Sequence, residues 1–195
     1  NDISDIEGKQ KAIAELSKDT DWRQEYQLTA GMIENEVDTE KVVRWVKEYE
    51  PVIPKIFGFL PLTYLALSLG IILAYGFGLI PGSFILYAFL LGAGISSRYV
   101  KKINKLYSDA GKMRETFMQY SKLLKMVEER EFESARLKEL KESLKTEGEK
   151  ASQILGRLSK EINNLDQRNN IFFALLANGF ILWDLRYAYR IEKWM

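Results

Sequence analysis

Apolar residues recur at three- and four-residue spacings along most of this 195-residue chain. Between Lys55 and Arg98 that rhythm gives way to 42 consecutive positions, Ile56–Ser97, without a charge. A spanning helix needs roughly 20 mostly apolar residues, so the stretch has room for two crossings and a tight turn. The expected helices run Phe57–Phe77 and Leu79–Ile95, with Gly76, Gly78, Pro81 and Gly82 clustered where the chain must reverse. Helices satisfy their own backbone hydrogen bonds, which is why an apolar solvent accepts them. The alternative is a hairpin buried in a soluble helical protein, but the remaining residues form amphipathic stripes, a poor cover for a continuously apolar pair.

The flanks predict an orientation. Arg44, Lys47 and Lys55 precede the hairpin, Arg98, Lys101, Lys102 and Lys105 follow it, and the turn carries no charge. Basic residues stay on the cytoplasmic side of a membrane, so both polar arms are expected in the cytoplasm of a multi-pass protein of the cytoplasmic membrane. Tyr75 and Tyr99 fall near helix ends, where amphipathic rings prefer the interface; Tyr64 and Tyr87 lie deeper. Gly78 and Gly82 match a helix-dimerisation spacing but straddle Pro81, whereas Gly92 and Gly94 are expected to let the two hairpin helices approach closely.

In the first arm, Ala12, Ile13 and Leu16 mark one helix, and Lys18–Asp21 breaks it. Thr20 or Asp21 is then expected to cap a second helix carrying Trp22 and Tyr26. Thr39 is placed as the cap of a third, bearing Val42, Val43, Trp45, Val46 and Tyr49, which Pro51 and Pro54 end. Beyond the hairpin, Tyr99, Ile103, Leu106, Met113, Phe117, Tyr120, Leu123, Leu124 and Val127 predict one long helix continuing out of the second apolar helix, with Gly111 a candidate interruption. After a break at Glu128–Glu133, Ser134 starts a short helix with Leu137, Leu140 and Leu144, and Gly148 stops it. Ala151–Leu165 forms another. The last pattern, Asn169–Trp194, contains 15 uncharged positions and is expected to be one core helix, too short and too polar for a third crossing. The fold class is therefore all-α: an amphipathic helical bundle with a transmembrane-type helical hairpin. Composition divides the chain into an N-terminal helical part (1–50), the hydrophobic hairpin (51–97) and a long-helix bundle (98–195).

The net charge of +1 conceals an asymmetry, for residues 1–97 carry 8 Lys/Arg against 13 Asp/Glu and residues 98–195 carry 20 against 14. A basic arm is attracted equally to an anionic leaflet and to nucleic acid. The absence of Cys and His removes thiol nucleophiles, imidazole bases, disulfides and the usual zinc ligand sets. A small soluble enzyme built on buried carboxylates is disfavoured for that reason. The charge runs Glu128–Glu131 and Lys138–Lys150 read as solvated helix faces, with pairs worth about 0.2–0.5 kcal/mol each. Asp166, Arg168 and Asp184 with Arg186 and Arg190 are expected to pair or cap within the bundle. No glycine-rich phosphate loop of the G-x-x-x-x-G-K-[ST] type occurs, and Lys and Arg are interleaved with Glu, so no clean phosphate-tracking stripe is visible. No catalytic, cofactor or metal residue is assigned. The chain opens at Asn1 without a charged-then-apolar leader and closes at Lys193–Met195 inside a helical pattern, so it is expected to be part of something longer.

Two sets of residues carry a family resemblance. Gln10-Lys11-Ala12-Ile13-Ala14-Glu15-Leu16-Ser17 with Trp22-Arg23-Gln24 resembles the segment that opens the core region of MutS-like DNA mismatch-repair ATPases. Tyr120–Leu124, Phe132–Ser134 with Leu137 and Leu140, Leu165–Asn169, Asn178, Leu182–Asp184 and Arg190–Trp194 are similar to the core and lever of a divergent, membrane-associated bacterial group of that family. The resemblance covers nearly the whole chain. It implies a non-catalytic core and lever module coupling DNA-facing parts to the protein's own C-terminal ATPase domain, which would begin beyond Met195 and hold ATP and Mg. It further implies a homodimer, duplex DNA as a partner and a role in mismatch repair or a related DNA transaction, here beside membrane lipid. The ATPase motifs, the mismatch-reading domain and the DNA-clamp residues find no match in this chain. The alternative is a membrane-tethered helical scaffold with no nucleic-acid role.

Overall fold

A computed structural model describes residues 3–33, 44, 47–146 and 148–194. The protein is all-α. The described helices are α1 (Ile3–Lys18), α2 (Thr20–Gly31), α3 (Leu60–Gly76), α4 (Ser83–Glu129), α5 (Ala135–Ser143), α6 (Ala151–Asp166), α7 (Ile171–Phe180) and α8 (Trp183–Trp194). Chain packing divides them between two compact units, one from residues 1–38 and 115–159, the other from 39–114 and 160–195. The compositional changes near residues 50 and 97 mark shifts in solvent preference, whereas packing groups segments that are distant in sequence.

In the first unit, Asp19 rather than Thr20 or Asp21 caps α2, its carboxylate accepting the Trp22 N–H at 3.1 Å. A cap residue must stand outside the helix in non-helical backbone, and Asp19 does so at φ −105°, ψ 83°. Thr20 and Asp21 are already helical, and Asp21 complements the dipole from the first turn. Ser134 occupies the cap position of α5 without bonding to it. Glu15 of α1 instead ties down the approach to α5, accepting the N–H groups of Glu133 (2.8 Å) and Ser134 (2.7 Å). Glu128 caps α6, accepting the first-turn Ser152 N–H at 3.0 Å. Gly148, at φ +82°, turns a two-residue antiparallel ladder between Lys145–Thr146 and Glu149–Lys150.

In the second unit, Thr39, Val42, Val43, Trp45 and Val46 lie outside the described residues. After Pro54 a 3-10 turn, Lys55–Gly58, leads into α3, whose first turn holds Pro61. The end of α3 is a complete Schellman motif: Gly78 N–H bonds to Tyr75 O and Leu79 N–H to Ala74 O, both at 2.9 Å, with Gly78 at φ +71°. Those bonds and Pro81 delay the second apolar helix to Ser83 instead of Leu79. Once started, α4 runs 47 residues without a break at Gly111. A helical glycine costs about 1 kcal/mol, and the buried neighbours Leu106 and Ala110 outweigh it.

The expected continuous helix from Asn169 to Trp194 is two helices bent by 84°. Asn170 caps α7 through the Phe173 N–H at 3.1 Å. Leu182 takes the left-handed conformation, φ +57°, while its side chain stays fully buried. The Asn178 side chain then accepts the Asp184 N–H at 3.0 Å in the first turn of α8. Nor is α7 a core helix, since Ile171 and Phe172 are 79% and 83% exposed. The core instead joins Ile103 and Leu106 of α4, Ile162 and Leu165 of α6, and Leu182, Leu185, Ala188 and Ile191.

Candidate functional site

The most unusual surface of the second unit is made by α3, the first part of α4 and α7. Large apolar side chains point outward on each: Leu62, Leu69 and Leu73 on α3, Leu86, Leu90 and Leu91 on α4, Leu175 and Leu176 on α7. The inward seam is small or polar. Tyr64, Ser68, Ala88 and Ser96 are buried, and Gly92 meets Gly179 so closely that a Cβ at position 92 would lie 2.8 Å from the Gly179 carbonyl carbon. Gly92 thus allows close approach to the other hairpin helix at the Tyr64 ring, as its sequence position suggested, and to α7 as well; Gly94 faces open space and does not. Tyr64 donates its hydroxyl to Ala88 O and, at 3.5 Å, to Gly179 O, and Ser96 donates to Asn178 O at 3.4 Å. Ser68 Oγ is buried with no hydrogen-bond partner among the described residues.

Water drives apolar groups inward, so a soluble hairpin hides its leucines and shows its hydroxyls. Here the order is reversed, and contiguous apolar surface of this kind marks a contact with lipid or another apolar partner. Among the described residues one helix, α4, is long and apolar enough in its first part to cross a membrane.

The structure places the predicted flank and turn residues at opposite ends of the hairpin. Phe57 packs edge-on against Tyr99 with ring centroids 5.2 Å apart, bringing the turn that holds Lys55 beside the segment that holds Arg98. Lys55, Arg98, Lys101, Lys102 and Lys105 are all exposed, as are Gly76, Gly78, Pro81 and Gly82. Lys102 and Lys105 line a cleft with Glu48, Tyr49, Glu50 and Asp109.

Below the apolar face lies a polar layer that periodicity could not show. Glu192, buried near the end of α8, accepts the N–H groups of Val52 (3.1 Å) and Ile53 (2.9 Å) and the Tyr49 hydroxyl (2.7 Å). Burial first, and then this carboxylate, push the Tyr49 hydroxyl well above the ordinary tyrosine range. Arg168 and Asp184 form a buried pair at 3.2 Å, with burial raising the Asp184 pKa and the arginine opposing it. Arg114 pairs with Asp166 at 3.1 Å, and Asp166 also takes the Tyr107 hydroxyl, a bond that raises the Tyr107 pKa. Asp166, Arg168 and Asp184 therefore pair within the bundle, as expected, and Arg190 reaches Glu161 at 2.6 Å.

In the first unit, a cleft of about 780 Å³ is lined by Lys11, Glu15, Lys18, Asp19 and Arg130, among others. Its strongest charges are committed: Arg130 pairs with Asp19 at 2.9 Å and lies 4.4 Å over the Trp22 ring. The two backbone N–H groups bonded to Glu15 hold its carboxyl below the usual range. Among the described residues no group of three or more Asp or Glu is arranged to hold a metal ion. Sequence reasoning missed the seam residues Ser96 and Gly179 and the carboxylates Glu15 and Glu192, whose partners lie far away along the chain. Compared with family models, curated proteins and solved structures, this chain matches none.

Proposed function

We propose that this chain is a membrane-anchored helical module whose α3–α4 hairpin spans the bilayer, and that it serves as the core and lever of a MutS-like DNA-binding ATPase. The observation that carries the membrane part is the reversed surface, apolar outward and hydroxyl-bearing inward. α3 has 17 residues, about 26 Å of helix, against roughly 30 Å of hydrocarbon, and the apolar residues of the turn add to it. The basic flanks at one end support a cytoplasmic location for both arms.

The lever part rests on the resemblance. In this reading α4 acts mechanically, carrying nucleotide-dependent motion from an ATPase domain beyond Met195 toward DNA-facing parts, and ATP and Mg belong to that domain. One observation favours the scaffold alternative: Arg114, Arg130, Arg136, Arg157, Arg168 and Arg190 each pair with a carboxylate, which leaves fewer cations for a phosphate backbone.

The cysteine-free sequence makes the topology directly measurable. In sealed inside-out vesicles, Leu79→Cys is expected to resist an impermeant maleimide until the membrane is opened, while Lys125→Cys reacts at once. Equal reaction of both positions, or release of the chain by alkaline carbonate, rules out a spanning hairpin. For the lever, a phosphate-binding glycine loop encoded beyond Met195 and salt-dependent binding of the full protein to duplex DNA are the expected results. A reading frame without that loop leaves the scaffold.

A further inference from the structure

Resting on the membrane reading above, we propose that α7 is a re-entrant helix that dips into the hydrocarbon beside the hairpin and returns to the side it came from, with lipid acyl chains covering its outer face. Three independent observations support it.

First, the two ends of the segment are fastened together. Arg168 before α7 and Asp184 after it form the buried 3.2 Å pair, and the Trp183 indole N–H bonds back to Asn164 O at 3.0 Å. A segment that leaves and returns through one ion pair has not crossed to the far side. Second, α7 reaches the middle of the apolar layer. The Asn169 amide donates to the Tyr107 hydroxyl at 2.8 Å, in the charged part of α4. By the other end, Phe180 packs on Phe89 with ring centroids 5.5 Å apart, nine positions into the charge-free part. Ten residues give about 15 Å of helix, half the roughly 30 Å of hydrocarbon.

Third, a helix end inside hydrocarbon must have its carbonyls satisfied by protein, and the hairpin supplies two of the donors there. Ala177 O takes the Ile181 N–H at 2.8 Å, Asn178 O takes Ser96, and Gly179 O takes Tyr64. This gives a role to the Tyr64 hydroxyl, which sits too deep to be an interface anchor, and to Ser96, two positions from Arg98. The outer face of α7, with Ile171, Phe172, Leu175 and Leu176 all more than half exposed, continues the apolar surface of the hairpin, so the same lipid covers both.

The test uses the full chain in phosphatidylcholine–phosphatidylglycerol vesicles, with one fluorescent label at Leu175→Cys or Leu176→Cys and controls at Leu69→Cys and Leu86→Cys in the hairpin. Lipids brominated along the acyl chain are expected to quench both α7 positions several-fold more than aqueous iodide does, and Lys193→Cys is expected to react from the same side as Lys125→Cys. Ser96→Ala with Tyr64→Phe is expected to move the α7 label toward the surface while the hairpin controls stay in place; an unchanged depth removes the capping role. Aqueous quenching of α7 with buried controls overturns the re-entrant helix alone. Crosslinking of α7 positions to a second copy, without acyl-chain quenching, or reaction of Lys193→Cys from the opposite side, overturns it as well. Aqueous quenching of the controls overturns the membrane reading itself.

Discussion

Gly92 of α4 and Gly179 of α7 face each other backbone to backbone, with no room for a side chain on either. On the Gly179 side a Cβ would collide with the Phe89 ring. The pair fixes where the bent segment docks on the hairpin.

Gly92→Ala is expected to destabilise the second unit by about 1–3 kcal/mol through overpacking against backbone that cannot yield. Gly94→Ala, which meets nothing within 4 Å, should instead gain about 0.5–1 kcal/mol from helix propensity. Denaturant titration of both variants in the same detergent separates the two effects, and equal changes would mean that the close approach does not form.

Removing the Glu192 carboxylate leaves two backbone N–H groups and a phenol without their acceptor. Glu192→Ala is expected to cost at least about 2 kcal/mol, and Glu192→Gln less. Ultraviolet titration gives a second readout, since either change should bring Tyr49 down toward its ordinary pKa of 10.0. In the native protein the Tyr49 value is raised, so its contribution is complete below pH 10 and is lost as pH rises through the folded-state value.

The Arg168–Asp184 pair is buried on both sides. Asp184→Ala strands an arginine in the interior and is expected to cost about 3–5 kcal/mol, whereas Arg168→Met combined with Asp184→Leu should recover most of that loss. Thermal unfolding of the single and double variants reads the difference. A double variant as unstable as the single one would show that the pair is needed for the bend itself.

Glu15 titrates below its ordinary value of 4.5 because it accepts the N–H groups ahead of α5. A depressed carboxylate stabilises the folded form above its unfolded pKa and loses that effect as pH falls through the folded one. The contact between α1 and α5 should therefore loosen below about pH 4.5. Amide exchange at Glu133 and Ser134 is expected to accelerate in that window in the native chain and to be fast at every pH in Glu15→Gln.

Local pattern alone determined much of this molecule. The charge-free stretch announced two apolar helices, because a run of side chains with one solvent preference needs no partner to be recognised. Gly78 marked the turn, since a left-handed helix end favours glycine, and Ser134 and Ala151–Leu165 bounded helices close to where they form, whereas Gly148 turns a short ladder after a helix that already ends at Ser143. Tertiary structure decided what periodicity cannot encode. The bend at Leu182 brings Asn178 to the Asp184 N–H and Asp184 to Arg168; Gly92 meets the neighbouring hairpin helix at Tyr64, as its position suggested, and also Gly179, which it did not suggest. Glu15 and Glu192 satisfy backbone N–H groups more than a hundred residues away, which only the folded chain brings to them. Spacing along a chain reports which face a residue shares, and the face that meets it from far away is set by packing.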